Sequence, residues 1–159
     1  MNIFILDDDM QKNAEYHADK HVVKMILEQT QILCTIVNQY GGETPYRSTH
    51  INHPCTKWAG ASWHNFIYLR DFTIILCKEY TYRYGKEHKC ELITKRLAHP
   101  TFGKGKFHLT DFAVIVPDQY KVYNYKKDLD PVLSYRNYYR NEKKHFATWK
   151  NRNTPYWFY

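Results

Sequence analysis

Between residues 22 and 37 the apolar side chains fall three and four positions apart: Val22, Met25, Ile26, Ile32, Leu33, Ile36 and Val37. That is the 3.6-residue period of a helix with one buried stripe. Asp7-Asp8-Asp9 offers N-caps before it, and Gly41-Gly42 ends it where positive φ is easily adopted. The pattern predicts a helix over about 8–40. A stripe that long needs a partner, and a second pattern over 55–84 supplies one from Trp58, Ala61, Phe66, Leu69, Phe72, Ile75, Leu76 and Tyr80. Pro54 suits its start and Gly85 its end. Residues 87–98 read as a shorter basic helix stopped by Pro100, and 99–130 as irregular chain. Asp130-Pro131, a cap followed by a first-turn proline, opens a last helix to about Trp149. No repeat and no linker interrupts the 159 residues. The expected fold is all-α: one compact domain, 1–159, built on two long helices plus a C-terminal helix, with irregular loops.

Charge and aromatic content bear on the partner. The chain carries 23 Lys and Arg against 16 Asp and Glu, a net of +7, together with 15 Tyr, 8 Phe and 4 Trp. The charge is uneven. The first thirty residues hold six acids and three lysines, whereas 78–106 hold eight basic residues and three acids, and 121–159 hold nine and three. Cations interleaved with π-faces suit DNA or a small nucleotide.

Other classes lose support. Asp7-Asp8-Asp9 stops the apolar Asn2–Leu6 stretch at once, so no signal peptide is expected. No apolar run approaches the ~20 residues of a membrane span. Cys34, Cys55, Cys77 and Cys90 are scattered without a C-x-x-C pair and read as reduced thiols of a cytoplasmic protein. Walker A, G-x-G-x-x-G, H-E-x-x-H, G-x-S-x-G and zinc-deaminase motifs are absent.

Four clusters can carry chemistry. His17, His21, Lys24 and Glu28 follow steps of four, three and four, one stripe of a continuous helix. That stripe suits phosphate binding or acid–base work; the bland alternative is a solvated face with a Glu–Lys pair. Asp19 lies about 200° around such a helix from His21, and either caps it, should the helix break near 17–19, or serves in catalysis. Candidate catalytic residues are therefore Asp19, His17, His21 and Lys24. The loop His50-Ile51-Asn52-His53-Pro54 supplies His50 and His53 as nucleotide or nucleic-acid contacts. With His17 and His21 these would make a four-histidine set, but no Cys or carboxylate completes a site, so neither metal nor cofactor is expected. Tyr84, Lys86 and His88 around Gly85 form a third candidate surface. Arg136, Tyr138, Arg140, Lys143 and Trp149 form a fourth, with Lys144 beside them. The tail Tyr156-Trp157-Phe158-Tyr159 is too apolar to hang free and is expected to pack on the domain or wedge against a partner.

Several stretches, read in order, resemble one family. They are Met1-Asn2-Ile3-Phe4, the Asp19-Lys20-His21 to Lys24 helix ending in Gln31-Ile32-Leu33, Asn52-His53-Pro54 followed by Trp58, and Cys77-Lys78-Glu79-Tyr80 ending at Arg83-Tyr84-Gly85. This order resembles the pyrimidine-dimer DNA glycosylase (endonuclease V-like) superfamily. Tyr135-Arg136-Asn137-Tyr138-Tyr139 and Pro155-Tyr156-Trp157-Phe158 resemble its uncharacterised tailed-phage branch. The resemblance implies an all-α, three-helix domain, a phage origin with an infected host's cytoplasm as its location, and a metal-independent reaction. In such enzymes the amine of a Thr exposed by Met removal attacks the damaged nucleotide's sugar. A first-helix Glu assists, and Arg residues hold phosphates. Here position 2 is Asn, whose bulk leaves Met1 in place. The carboxylate expected to stand in for the Glu is Asp19, and His17, His21 and Lys24 stand where arginines would.

Three functions follow. The first is a DNA glycosylase/AP-lyase. The second is a protein that sequesters or hydrolyses a small signalling nucleotide, such as a cyclic dinucleotide or an ADP-ribose derivative, against host immunity. The third is a non-enzymatic DNA-binding protein on the same scaffold.

Overall fold

The computed structural model describes residues 1–159. It bears out the all-α expectation: six α-helices, two short 3-10 turns and no strand. The helices are α1 (Met10–Tyr16), α2 (Asp19–Gln39), α3 (Pro54–Ala59), α4 (Trp63–Tyr84), α5 (Cys90–Arg96) and α6 (Pro131–Glu142). Two long helices, α2 and α4, pack on each other, with α1, α3 and α5 against α4. The α2 stripe from Val22 to Val37 is buried as expected. No helix is long and apolar enough to cross a membrane.

Each long pattern is interrupted once. Asp9 caps α1, its carboxylate accepting from the Lys12 amide at 2.8 Å. The chain then turns extended at His17 and Ala18 before α2 begins. Arg83 explains the break. The last carbonyls of a helix have no partner within it, and the Arg83 guanidinium donates to those of Glu15 (2.9 Å) and His17 (2.8 Å). Ala18 takes the N-cap position and Asp19 the first turn, where a carboxylate meets the positive end of the helix dipole. The second pattern breaks at Gly60–Ser62. Ser62 caps α4 by accepting from the Asn65 amide, and left-handed Gly85 (φ 65°) ends it. Asp130 caps α6 with Pro131 behind it, as the sequence predicts, but α6 stops at Glu142, short of Trp149.

The tail packs on the domain. Trp157 is buried against Tyr16 and Tyr139, while Tyr156 and Tyr159 stay exposed. The opposite terminus is drawn deeper still. Ile3, Phe4, Ile5 and Leu6 are buried in the same core cluster as α2 and α4. At about 1.5–3 kcal/mol for each fully buried large side chain, these four residues hold the start of the chain firmly in place.

Candidate functional site

The buried N-terminal segment holds one group, the terminal amine, with little freedom. The Asn2 side chain is gripped on both sides. Its Nδ2 donates to the Ile115 carbonyl (3.0 Å), and its Oδ1 accepts from the Tyr135 hydroxyl (2.7 Å). Phe4 lies flat on the His21 ring at 4.7 Å, with Tyr135 and Tyr139 edge-on. The Met1 side chain is only 3 % exposed. Its α-amino group sits 3.8 Å from Oε2 of Glu28, and the other oxygen of that carboxylate pairs with Lys24 Nζ at 3.4 Å. Glu28 is mostly shielded and Lys24 faces solvent.

The His50–Pro54 loop closes this corner. His53 caps α3: Nδ1 accepts from the Cys55 amide at 3.1 Å, so a neutral ring carries its proton on Nε2. Burial lowers the His53 pKa, the terminal amine and His50 lower it further, and Glu28 opposes them. These four groups thus share one electrostatic neighbourhood. His50 adopts positive φ (48°) beside Thr49. Burial pushes the nearby Cys55 thiol up to about 11, which keeps it protonated and unreactive near neutral pH.

The structure places the other candidates elsewhere. His17 is fully buried; its Nδ1 bonds to the Asn13 carbonyl (2.7 Å), Nε2 has no partner, and burial drives its pKa down to about 4. His21 sits behind Phe4 with Nδ1 2.5 Å from the Tyr139 hydroxyl, and burial, then His17, Lys143 and Lys24, push it down to about 3. Since that hydroxyl also accepts from the Ala18 amide (3.2 Å), its proton points to His21. The break between α1 and α2 separates His17 from the stripe it shares on paper with His21, Lys24 and Glu28.

Asp19 is a tie point. It accepts from Arg83 (2.9 Å), the Thr148 hydroxyl (2.8 Å) and the Lys150 amide (2.9 Å). Arg83 continues to Glu79, which also takes Arg152. Burial alone would raise the Glu79 carboxyl, but Arg152 and Arg83 hold it below its ordinary value. This network pins α2, the end of α4 and the C-terminal segment together.

Among the remaining candidates, Tyr84 flanks the same network beneath Lys150. Lys86 is exposed. His88 is buried, its Nδ1 accepting from the Cys90 amide. Arg136 is spent internally on Asp7 (2.8 Å), the Leu6 carbonyl (2.7 Å) and the rings of Tyr16, Tyr156 and Trp157. Trp149 is buried with its indole N–H on the Tyr16 carbonyl. Lys143 lies over the Tyr138 ring at 4.7 Å, and exposed Arg140 touches the Trp157 carbonyl. Glu28 stands in the first stripe and the terminal amine in the glycosylase expectation, but their pairing was not foreseen, since Asp19 was the carboxylate expected there. The signal available was the four-residue step from Lys24 to Glu28.

What the arrangement offers chemically is an amine held against a shielded carboxylate, a histidine of fixed tautomer, and nearby lysines. No curated protein and no solved structure gives a significant match. The sequence pattern of the family described as pyrimidine dimer DNA glycosylase matches residues 1–92, which include the amine, Glu28 and His53. Covering more than half of the chain, that match establishes that the protein belongs to the pyrimidine dimer DNA glycosylase family.

Proposed function

We propose that the protein is a DNA glycosylase with AP-lyase activity whose nucleophile is the α-amino group at residue 1. The observation that carries this reading is the 3.8 Å pairing of that amine with Glu28 inside the segment matched by the family. Glu28 takes the ammonium proton, and the free amine attacks C1′ of the damaged nucleotide. The N–C1′ bond forms as the glycosidic bond breaks, the electron pair leaves with the base, and the base takes the proton that the newly bonded nitrogen sheds. Protonated Glu28 returns its proton to the sugar ring oxygen, opening the ring to a Schiff base. Loss of a C2′ proton then expels the 3′ phosphate by β-elimination. Base flipping brings the sugar to the amine.

His53 orients the loop beside the amine, and Lys24 and Lys143 supply phosphate contacts. Lys24 lies one turn beyond His21 on α2, and Lys143 directly follows α6, whose Tyr139 bonds to His21. Asp19, His17 and His21 hold the amine's frame from behind.

The test is strand cleavage of a duplex carrying one cyclobutane pyrimidine dimer, run in EDTA. Cleavage at the dimer with a β-elimination end is expected. Intact dimer DNA with ordinary duplex binding would leave the third function, binding without chemistry.

A further inference from the structure

The segment from Leu92 to Thr110 contains no acidic residue and carries Lys95, Arg96, Lys104 and Lys106. All of it after Leu92 lies beyond the residues matched by the family. Within it, Gly103–Lys106 forms a tight turn: the Lys106 amide donates to the Gly103 carbonyl, and Gly105 takes φ 83°.

Both ends of the turn are anchored. Phe102 is buried against Tyr40 (5.0 Å) and Phe66 (6.2 Å). On the far side the Trp63 amide donates to the Lys106 carbonyl (2.9 Å) and the Ser62 hydroxyl to the His108 carbonyl (2.6 Å). Asn65 and Thr110 bond reciprocally at 2.7 and 2.9 Å. The tip is the opposite. Lys104, Gly105 and Lys106 are exposed, and the Phe107 ring is 55 % exposed. Neither lysine forms an ion pair, in contrast to Lys95, which is tied to Glu91. The tip is therefore a rigidly based pair of unspent cations with a bare aromatic ring beside them.

We propose that the Gly103–Phe107 turn is a second DNA-contact element. Lys104 and Lys106 hold backbone phosphates, and Phe107 stacks on a base released from the duplex. The turn is tied through α3 to the loop that neighbours the amine. His53 opens α3, α3 advances about 9 Å at 1.5 Å per residue, and Ser62 and Trp63 then hold the turn. Lys57 is exposed on α3, the helix that joins them along the chain. The proposal rests on the DNA-binding part of the proposed function, not on its chemistry. Charge complementarity commits it to a polyanion, and the exposed ring favours DNA over a purely acidic polypeptide.

The test is anisotropy titration of the full-length protein on undamaged duplex across salt concentrations. Lys104→Gln/Lys106→Gln is expected to make the log K against log salt slope shallower by about 2, at 0.9 per phosphate released. Phe107→Ala is expected to lose roughly tenfold affinity for DNA with an unpaired base while changing plain duplex little, with Phe107→Tyr retaining it. These residues are exposed, so melting temperature should not move. An unchanged slope overturns the phosphate role. So does a variant that loses polyglutamate binding and keeps DNA binding. An unchanged preference for the unpaired base overturns the role of Phe107. Because plain-duplex binding needs no chemistry, a shallower slope without dimer cleavage would sink the glycosylase reading and leave this contact standing.

Discussion

Arg83→Met probes the frame behind the amine. The Arg83 side chain has no exposure and donates four hydrogen bonds: to Glu79 (2.7 Å), to Asp19 (2.9 Å), and to the carbonyls of His17 (2.8 Å) and Glu15 (2.9 Å). Methionine fills similar space and supplies none of them. Glu79, almost wholly buried, then keeps only Arg152, and two helix-end carbonyls lose their donor. Removing one member of a buried pair costs about 3–5 kcal/mol. At about 2–4 °C per kcal/mol for a chain of this size, Tm should fall by about 6–20 °C. Urea unfolding checks it, with the midpoint shifting and the m-value constant. Glu79→Gln should cost less in the Arg83→Met background than in the native protein, since one of the carboxylate's two guanidinium partners is already gone. A variant within about 1 kcal/mol of the native protein, or a double variant merely additive, would refute the claim that this network holds the α1–α2 break.

Three further outcomes follow. Burial pushes His17 down to about 4 and His21 down to about 3, against an ordinary value of 6.5, so the unfolded chain binds more protons between those limits. Stability therefore falls as pH drops below about 6.5, by up to about 1.4 kcal/mol per pH unit for each histidine; Glu79, held low by its arginines, adds its own loss only below the ordinary carboxyl value of 4.5. Urea midpoints between pH 7 and 4 check this, and a flat profile contradicts it. Tyr135→Phe removes the hydroxyl that holds Asn2 and accepts from the Ile115 amide, so it should cost about 1–3 kcal/mol in urea and slow single-turnover cleavage while duplex affinity holds. Glu28→Gln should slow single-turnover cleavage about 10²–10⁴-fold with little change in DNA affinity; equal losses in binding would assign Glu28 to the frame instead.

The helical architecture was legible because it rests on local information. The Val22–Val37 stripe, the Asp130-Pro131 start and the Gly85 stop act through nearby residues, and each appears in the structure. Of the two breaks, the one near 17–19 was open only as an alternative with Asp19 as its cap, and the one at Gly60–Ser62 was not foreseen. The first is stabilised by Arg83, 66 residues away from His17, and nothing local reports that bond. The same distance effect governs the site. Counting along one continuous helix aligns His17 with Lys24, but the break moves His17 into the core. Asp19 looks like a free carboxylate until Arg83 and Lys150 arrive from remote parts of the chain. Glu28 was visible as the partner of Lys24, yet its tie to the amine depends on the burial of Ile3–Leu6, which only the packed core reveals. The His50–His53 loop was recognised from its composition, and His53 does stand beside the amine, though as a helix cap.

The central claim is that the amine at residue 1 attacks the sugar. Borohydride reduction during reaction with dimer-containing or abasic duplex tests it most directly, with the adduct digested and located by mass spectrometry. The account predicts one covalent adduct on the α-nitrogen of Met1, abolished when a glycine is inserted before Met1. An adduct on a lysine, or none while cleavage proceeds, would contradict it.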